Sequence, residues 1–453
     1  MSVSEPITAV PRPRPWSDVL RESWARYPVS AEREAWIGLA GLLVTGLVIA
    51  LSASSTSLLL PQTIRLGPTG TGMTGAFGQH GIDLHLAGLT FVLVVMFASY
   101  MLVVRGAAVL PARAVLIGIA TILALVMLAP PLFSTDVFSY IAYGRLGRIY
   151  SANPYVFGPS FLQLDKVYPF IDQQWVTTPT AYGPIFTALS YLLAPLAIAA
   201  EVVAYKAIAA GALLLVCLMV WKAAALRGVN QVKAVALVGL NPATIAYGVG
   251  GGHNDMLMLA LLVTGIYVLL LERQRTGGAL IVAATAVKLT GGLLAPFALA
   301  RHGGRGTALH SRRAVLAGLL LAAALAAAFS FGLFGTGPLH LLGTLQSVQS
   351  QGGIHSIPGL LLSALGLSAL SGAAGIVLDV ALVICVGWLV RRVWLGELDW
   401  ITGAGWATVG LLLSAGLLLP WYVGWLTPLA ALSKDRRLLV VSMLLTALAL
   451  TSL

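Results

Sequence analysis

Residues 114–140 read AVLIGIATILALVMLAPPLFSTDVFSY. The first part, Ala114 to Phe133, carries no charged side chain, and its length of about 20 residues is that of a helix crossing a hydrocarbon core roughly 30 Å thick. Arg113 precedes it and Ser134-Thr135-Asp136 follows it at once. Basic residues mark the cytoplasmic flank of a span, so this one is predicted to run outward and to deliver Asp136 to the outer boundary of a membrane.

The rest of the chain repeats that pattern. Apolar residues make up 58% of its 453 residues and charged residues 9%, too few charges to coat a soluble protein of this size. The 27 Lys and Arg against 16 Asp and Glu sit in short clusters between apolar runs and read as topology signals, so no nucleic-acid partner is expected. Cys217 and Cys385 each fall inside an apolar run, which leaves neither a disulfide framework nor a CxxC metal site. Residues 1–35 are rich in Pro and Arg and lack a signal peptide's apolar region. They are expected to form a cytoplasmic tail before a single transmembrane domain over 36–453, with Ala31 to Trp36 either a short amphipathic lead-in or more tail.

Taking basic clusters as cytoplasmic predicts an all-α polytopic membrane protein with about 11 crossings and three partial helices. Crossings are expected at Trp36–Ser57, Leu84–Val104, Ala114–Phe133, Val202–Trp221, Ala234–Tyr247, Met256–Leu270, Ala314–Phe334, Gly375–Val390, Ile401–Leu418, Tyr422–Leu432 and Leu438–Leu453. Pro184–Ala199 is expected as an outer-leaflet or re-entrant helix, tolerated where its ends are buried in protein. Ile357–Leu370 is a second partial helix. Gly278–Ala300, flanked by basic residues on both sides and interrupted by Lys288, Gly291, Gly292 and Pro296, is expected as a cytoplasmic half-membrane hairpin. Three polar segments then share the outer side: a large loop over 134–180, the turn Gly250–Asp255, and a second loop over 335–356. There is no internal repeat of the kind that marks secondary transporters.

Each polar group on that side has a plain and a chemical reading. Ser134, Thr135 and Asp136 are all helix-capping residues; alternatively, Asp136 is a sheltered carboxylate at membrane depth, which is functional by default. Gly250-Gly251-Gly252 can simply end one helix before the cap of the next, with His253 merely interfacial, or can let the backbone approach a ligand while His253, Asn254 and Asp255 line it. Trp175, Tyr182 and Tyr140, with Gln346, Gln349 and His355, either belong to an interfacial aromatic belt and its loops or suit a sugar, bound by ring faces and neutral hydrogen bonds. Lys288 either anchors its hairpin or binds a lipid phosphate, and the cytoplasmic placement expected for the hairpin favours the anchor. Two ionisable residues in the glycine turn are too few for zinc, and Walker and dinucleotide-binding motifs are absent. An activated substrate therefore has to arrive on another carrier, and a lipid serves at the outer face.

Four ordered segments carry a resemblance: FSTDVFSYIAYGRLGRIYSANPYVFGP from Phe133, TPTAYGPIF from Thr178, LNPATIAYGVGGGHNDMLMLALLVTGI from Leu240 and AVKLTGGLLAPF from Ala286. Together they resemble the actinobacterial polyprenol-phosphate-mannose-dependent α-1,6-mannosyltransferases of the GT-C superfamily, which build the backbone of lipomannan and lipoarabinomannan. The resemblance implies the GT-C fold, polyprenyl-phosphate mannose as donor, a lipomannan-type glycolipid as acceptor, membrane lipids around both, and a plasma-membrane enzyme with its site on the outer, periplasmic side. Asp136 matches the position of the family's general base. His253, Asn254 and Asp255 match its glycine-rich turn and are implied to orient the base or hold donor, with His355 as a further phosphate contact. No cofactor and no metal are implied. Spacing does not identify the sugar, so an arabinosyltransferase or an enzyme extending phosphatidylinositol mannosides stays open, as does a lipid or sugar transporter or flippase.

Overall fold

The computed structural model describes residues 29–52, 59, 81–301, 308–350, 356–367 and 370–451. Among these residues the chain is helical and contains no strand. Five helices are long and apolar enough to cross a membrane: α1 (Val29–Leu51), α2 (Leu86–Gly106), α6 (Ile198–Arg227), α11 (Ala308–Phe334) and α14 (Ser371–Trp394). Between them lie α3 (Ala112–Leu128), α4 (Asp136–Arg148), α5 (Pro184–Leu193), α7 (Gln231–Gly239), α8 (Asp255–Leu270), α9 (Gln274–Val287), α10 (Ala295–Ala300), α12 (Leu341–Ser350) and α13 (Ile357–Ala364). The chain closes with α15 (Trp400–Ser414), α16 (Thr427–Leu432) and α17 (Arg436–Leu450). This is an all-α polytopic membrane protein.

Small residues set the packing, as they do wherever helices must approach closely without a water-driven force. A Cβ on Gly38 or Gly41 of α1 would collide with Ser99 of α2, and one on Gly278 of α9 or Gly318 of α11 would meet the other helix's backbone. Gly228, in the left-handed region at φ 63°, ends α6, a conformation that costs glycine nothing. The side chains of Asn230, Asp399, Asp435 and Ser356 cap the helices that follow them.

Several expected spans are built differently. The crossing foreseen at Ala234–Tyr247 is α7 followed by a π-helix over Thr244–Val249; the Asn241 side chain accepts the Thr244 N–H at 3.0 Å and donates to Thr446 at 2.9 Å. Tyr422–Leu432 is a 3₁₀ helix over Pro420–Trp425 joined to α16. The loop expected over 335–356 holds a 3₁₀ turn at Gly337–His340 and then α12. Gln346 and Gln349 therefore stand on a helix rather than a coil, and residues 351–355 lie outside the described residues.

The segment around Lys288 departs most from expectation. Hairpin Gly278–Ala300 is α9, a 3₁₀ helix over Leu289–Leu294, and α10. Its base lies at the Glu272 end of α8, where Arg301 bonds Glu272 at 2.9 Å. Its tip lies at the opposite end of α8, where Lys288 bonds Asp255 at 2.8 Å. The hairpin thus runs the full length of α8, and Lys288 stands among the polar segments that carry Asp136 and Asp255 rather than at the hairpin's basic base. Antiparallel packing of α9 on α8 sets that depth, which glycine and proline spacing does not report.

Five attachments fix the segment that carries Asp136 and the loop that follows it. Buried Lys206 of α6 donates to the carbonyls of Val126 at 2.7 Å, Pro130 at 3.0 Å and Ala129, satisfying the open C-terminal end of α3 with a cation, the charge that a helix C-terminus favours. Leu132 N–H donates to Gly250 O at 3.0 Å, and Phe133, at φ 61°, stacks on Tyr247 with centroids 4.4 Å apart. Farther on, Arg145 grips Asp165 with its Nε at 2.9 Å, and Gly183 N–H donates to Val287 O at 3.0 Å. That last bond ties the end of the large loop to the hairpin tip.

Candidate active site

Asp136 is the first residue of α4, and its backbone N–H goes to Ser134 Oγ at 3.1 Å. Thr135, the N-cap, makes no side-chain cap bond, so the carboxylate is not occupied as a helix cap. It faces two groups instead. Tyr140 OH, one helical turn on, donates to Oδ2 at 3.5 Å, and His253 Nδ1 lies 3.5 Å from the same oxygen and 3.3 Å from the Tyr140 hydroxyl. The Asp136 side chain keeps 18% exposure while that of His253 keeps none. Burial pushes the Asp136 carboxyl up to about 6, with Asp255 adding to the rise and Lys288 opposing it. Burial, aided by the Lys288 charge, holds His253 well below the usual histidine range, so the ring is neutral.

The glycine turn exists to seat that ring. Gly252 is left-handed at φ 68°, and a Cβ on Gly251 would lie 2.6 Å from His253 Nε2. The imidazole folds back over Gly251 and stacks on Trp421, centroids 3.6 Å apart and planes 19° from parallel. Asp255 opens α8 fully buried. Its Oδ1 accepts from Trp425 Nε1 at 2.6 Å and from Lys288 Nζ at 2.8 Å. The Lys288 ammonium also lies 4.5 Å from the centre of the Tyr422 ring and 5.1 Å from that of Trp425.

A cavity of about 760 Å³ opens beside this cluster. Asp136, Tyr143, Trp175, Thr178, Tyr182 and Lys288 form one part of its wall, and Gln346, Gln349, Ser356 and Asp379 another. Leu289, Leu293, Leu362, Ile376, Leu382 and Leu411 make the wall apolar between and beyond them. The structure therefore brings together Asp136, Trp175 and Tyr182 on one surface. Tyr140 packs behind them, edge-on to Tyr182 and Phe186 at 4.9 Å each. His253, Asn254 and Asp255 are all buried behind the wall rather than lining the cavity; His253 meets Asp136 and Asp255 meets Lys288, while neither polar atom of the Asn254 side chain has a hydrogen-bond partner among the described residues. His355 lies outside the described residues.

Sequence reasoning missed Lys288 as a wall residue, and missed Trp421, Tyr422 and Trp425 altogether. The run Pro420-Trp-Tyr-Val-Gly-Trp425 was the available signal: two tryptophans and a tyrosine within five residues, next to a proline, in a stretch otherwise read as a plain span.

The sequence model of a family described as "alpha-(1->6)-mannopyranosyltransferase, N-terminal domain" matches residues 35–302, more than half of the chain. Alpha-(1->6)-mannopyranosyltransferase A of Mycobacterium tuberculosis is 34% identical over 188 residues, 39% of this chain and 34% of that protein. The Corynebacterium glutamicum protein of the same name is 30% identical over 176 residues, 37% of this chain and 35% of that protein. The chain thus matches about a third of the length of these relatives. No solved structure matches. Asp136, His253, Asp255 and Lys288 all fall within the matched residues, and the chain belongs to the alpha-(1->6)-mannopyranosyltransferase family.

Proposed function

We propose that the protein is an inverting GT-C-type mannosyltransferase that moves mannose from a polyprenyl-monophosphate carrier to a lipomannan-type glycolipid, forming α-1,6 linkages at the outer face of the plasma membrane. The N-terminus is then cytoplasmic. One observation carries this reading: the Asp136 carboxylate, beside the neutral His253 ring, stands on the wall of a cavity that joins aromatic and amide groups to an apolar surface of membrane helices. Trp175 and Tyr182 offer ring faces to a sugar. The leucines and Ile376 suit a prenyl chain. Asp136 takes the proton of the acceptor 6-hydroxyl as its oxygen attacks the anomeric carbon. The bond from that carbon to the phosphate oxygen breaks with its electron pair, and the β-linked donor gives an α product. His253 and Tyr140 hold the base in place.

A general base must be ionised to act, and its shelter shifts where that happens. The kcat/KM profile is therefore expected to fall as pH drops through about 6, well above the ordinary carboxylate range. A flat profile from pH 5 to 8 would remove Asp136 from the role.

The direct test is cell-free transfer with radiolabelled polyprenyl-phosphate mannose, run beside polyprenyl-phosphate arabinose and with both mature lipomannan and phosphatidylinositol mannosides as acceptors. Mannose transfer to lipomannan supports the proposal; arabinose transfer alone, or no transfer, overturns it. No cofactor or metal enters this scheme. A monophosphate donor exposes less charge than a pyrophosphate, and among the described residues no three His, Cys, Asp or Glu side chains gather as a ligand set. Transfer is expected to persist in excess chelator, and a strict divalent requirement would contradict this.

A further inference from the structure

We infer that Lys288 is the phosphate seat of the donor: its ammonium holds the phosphodiester of the lipid-linked sugar and takes up the charge that appears there as the glycosidic bond breaks. This rests on the transferase reading above and adds the residue that recognises the carrier.

Among the described residues lining the cavity, the ionisable acids and bases are Asp136, Asp379 and Lys288, so Lys288 is the one cation on that wall. It is placed there by backbone, not by a swinging chain end. Lys288 is extended, at φ −149° and ψ 130°, in the break between α9 and the 3₁₀ helix that follows. From the protein side Asp255 holds it at 2.8 Å, and Asp255 is held in turn by Trp425. That bond engages one of three ammonium N–H groups. The side chain keeps 13% exposure while its partner keeps none.

A lysine serving only to neutralise Asp255 is the simpler structural explanation, since removing either half of a buried pair strands the other charge. Two features go beyond it. A purely structural pair is best closed on all sides, whereas this ammonium is part of the cavity wall and keeps its exposure there. It also shares the cavity wall with Asp136, and its charge draws that carboxyl down against burial.

Charge accounting shows what a cation does at that position. Before transfer the Asp136 carboxylate carries one negative charge and the donor phosphodiester another. The acceptor oxygen bonds to the anomeric carbon, its proton moves to Asp136, and the electron pair of the broken carbon–oxygen bond stays on the phosphate. Asp136 is then neutral and the polyprenyl phosphate is a dianion. One negative charge has moved from the carboxylate to the phosphate past a single ammonium. Lys288 loses an anionic neighbour as it gains one, and lysine suits this as a compact point charge.

The test separates phosphate recognition from transfer. The full chain in lipid nanodiscs is titrated with polyprenyl phosphate and with polyprenol of the same length, neither carrying a sugar. The wild type is expected to prefer the phosphate by about 10- to 100-fold, the worth of a hydrogen bond to a charged group. The double variant Lys288→Met, Asp255→Asn removes both charges so that neither is stranded. It is expected to bind the two lipids alike and to lose about 10²-fold or more in kcat with mannosyl donor. Asp255→Asn alone is expected to keep the phosphate preference, and Lys288→Arg to keep part of it. A double variant with the wild-type preference, or a preference already lost in Asp255→Asn, overturns the assignment to Lys288 while leaving the transferase intact. A wild type that distinguishes neither lipid and transfers no mannose overturns both.

Discussion

Asp136→Asn is expected to abolish mannosyl transfer, by about 10² to 10⁴ in kcat, the usual worth of a positioned base, while the protein stays folded and still binds donor. The amide is isosteric and keeps its oxygen toward Tyr140, so the loop geometry is preserved. What disappears is the lone pair that accepts the acceptor's proton. Folding is not endangered, because burial already opposes the Asp136 charge and a neutral amide escapes that penalty. His253 is no obstacle either, since a neutral imidazole pays nothing for losing a carboxylate neighbour. Turnover is to be measured beside the thermal midpoint in the same detergent and beside affinity for polyprenyl phosphate. A variant with normal stability, normal phosphate affinity and more than a tenth of wild-type turnover would remove Asp136 from catalysis. Because phosphate binding is assigned to Lys288, the two variants should separate cleanly: one loses the chemical step alone, the other also loses recognition of the carrier.

That separation also shows where the sequence was informative. Asp136 stood out because a carboxylate directly after an apolar run is either a helix cap or a sheltered acid, and the structure gives the N-cap position to Thr135. Lys288 was not visible in the same way. Basic residues flank its hairpin at the base, where Arg301 meets Glu272, but hydropathy says nothing about how far a hairpin reaches. Only packing on α8 does. Tyr422 and Trp425 were lost to a different ambiguity. Aromatic residues at membrane depth are routinely explained by an interfacial belt, and a belt residue looks the same in sequence as one that roofs an ammonium. Gln346 and Gln349 were identified as polar, but the helix that puts both on the cavity wall was read as a loop. Span existence followed from composition; site membership followed from contacts between segments far apart in the chain.

One such contact can be tested with a single methyl group. Gly183 closes the large loop, and its N–H donates to Val287 O at 3.0 Å, one residue before Lys288. A Cβ at Gly183 would collide with the carbonyl of Ala286. Its φ of −71° is open to any residue, so Gly183→Ala carries no backbone penalty of its own. The cost is purely the clash, and since both partners are main chain neither can rotate aside. The loop bearing Tyr182 and the hairpin tip bearing Lys288 must therefore part. A displacement of about 1 Å between groups that hold a substrate from two sides costs about 10²-fold in rate, and Gly183→Ala is expected to lose that much in kcat. Lys288 opposes the rise of the Asp136 carboxyl and Tyr182 packs edge-on to Tyr140, so as the hairpin tip retreats the acid limb of the pH profile is expected to move up from about 6. Gly211, in α6 with nothing within 4 Å of its Cβ position, is the matched control, and Gly211→Ala is expected to be neutral. Wild-type turnover in Gly183→Ala would mean that loop and hairpin do not act as one clamp. A shifted acid limb with the rate otherwise intact would mean that the contact supports the base rather than the phosphate seat.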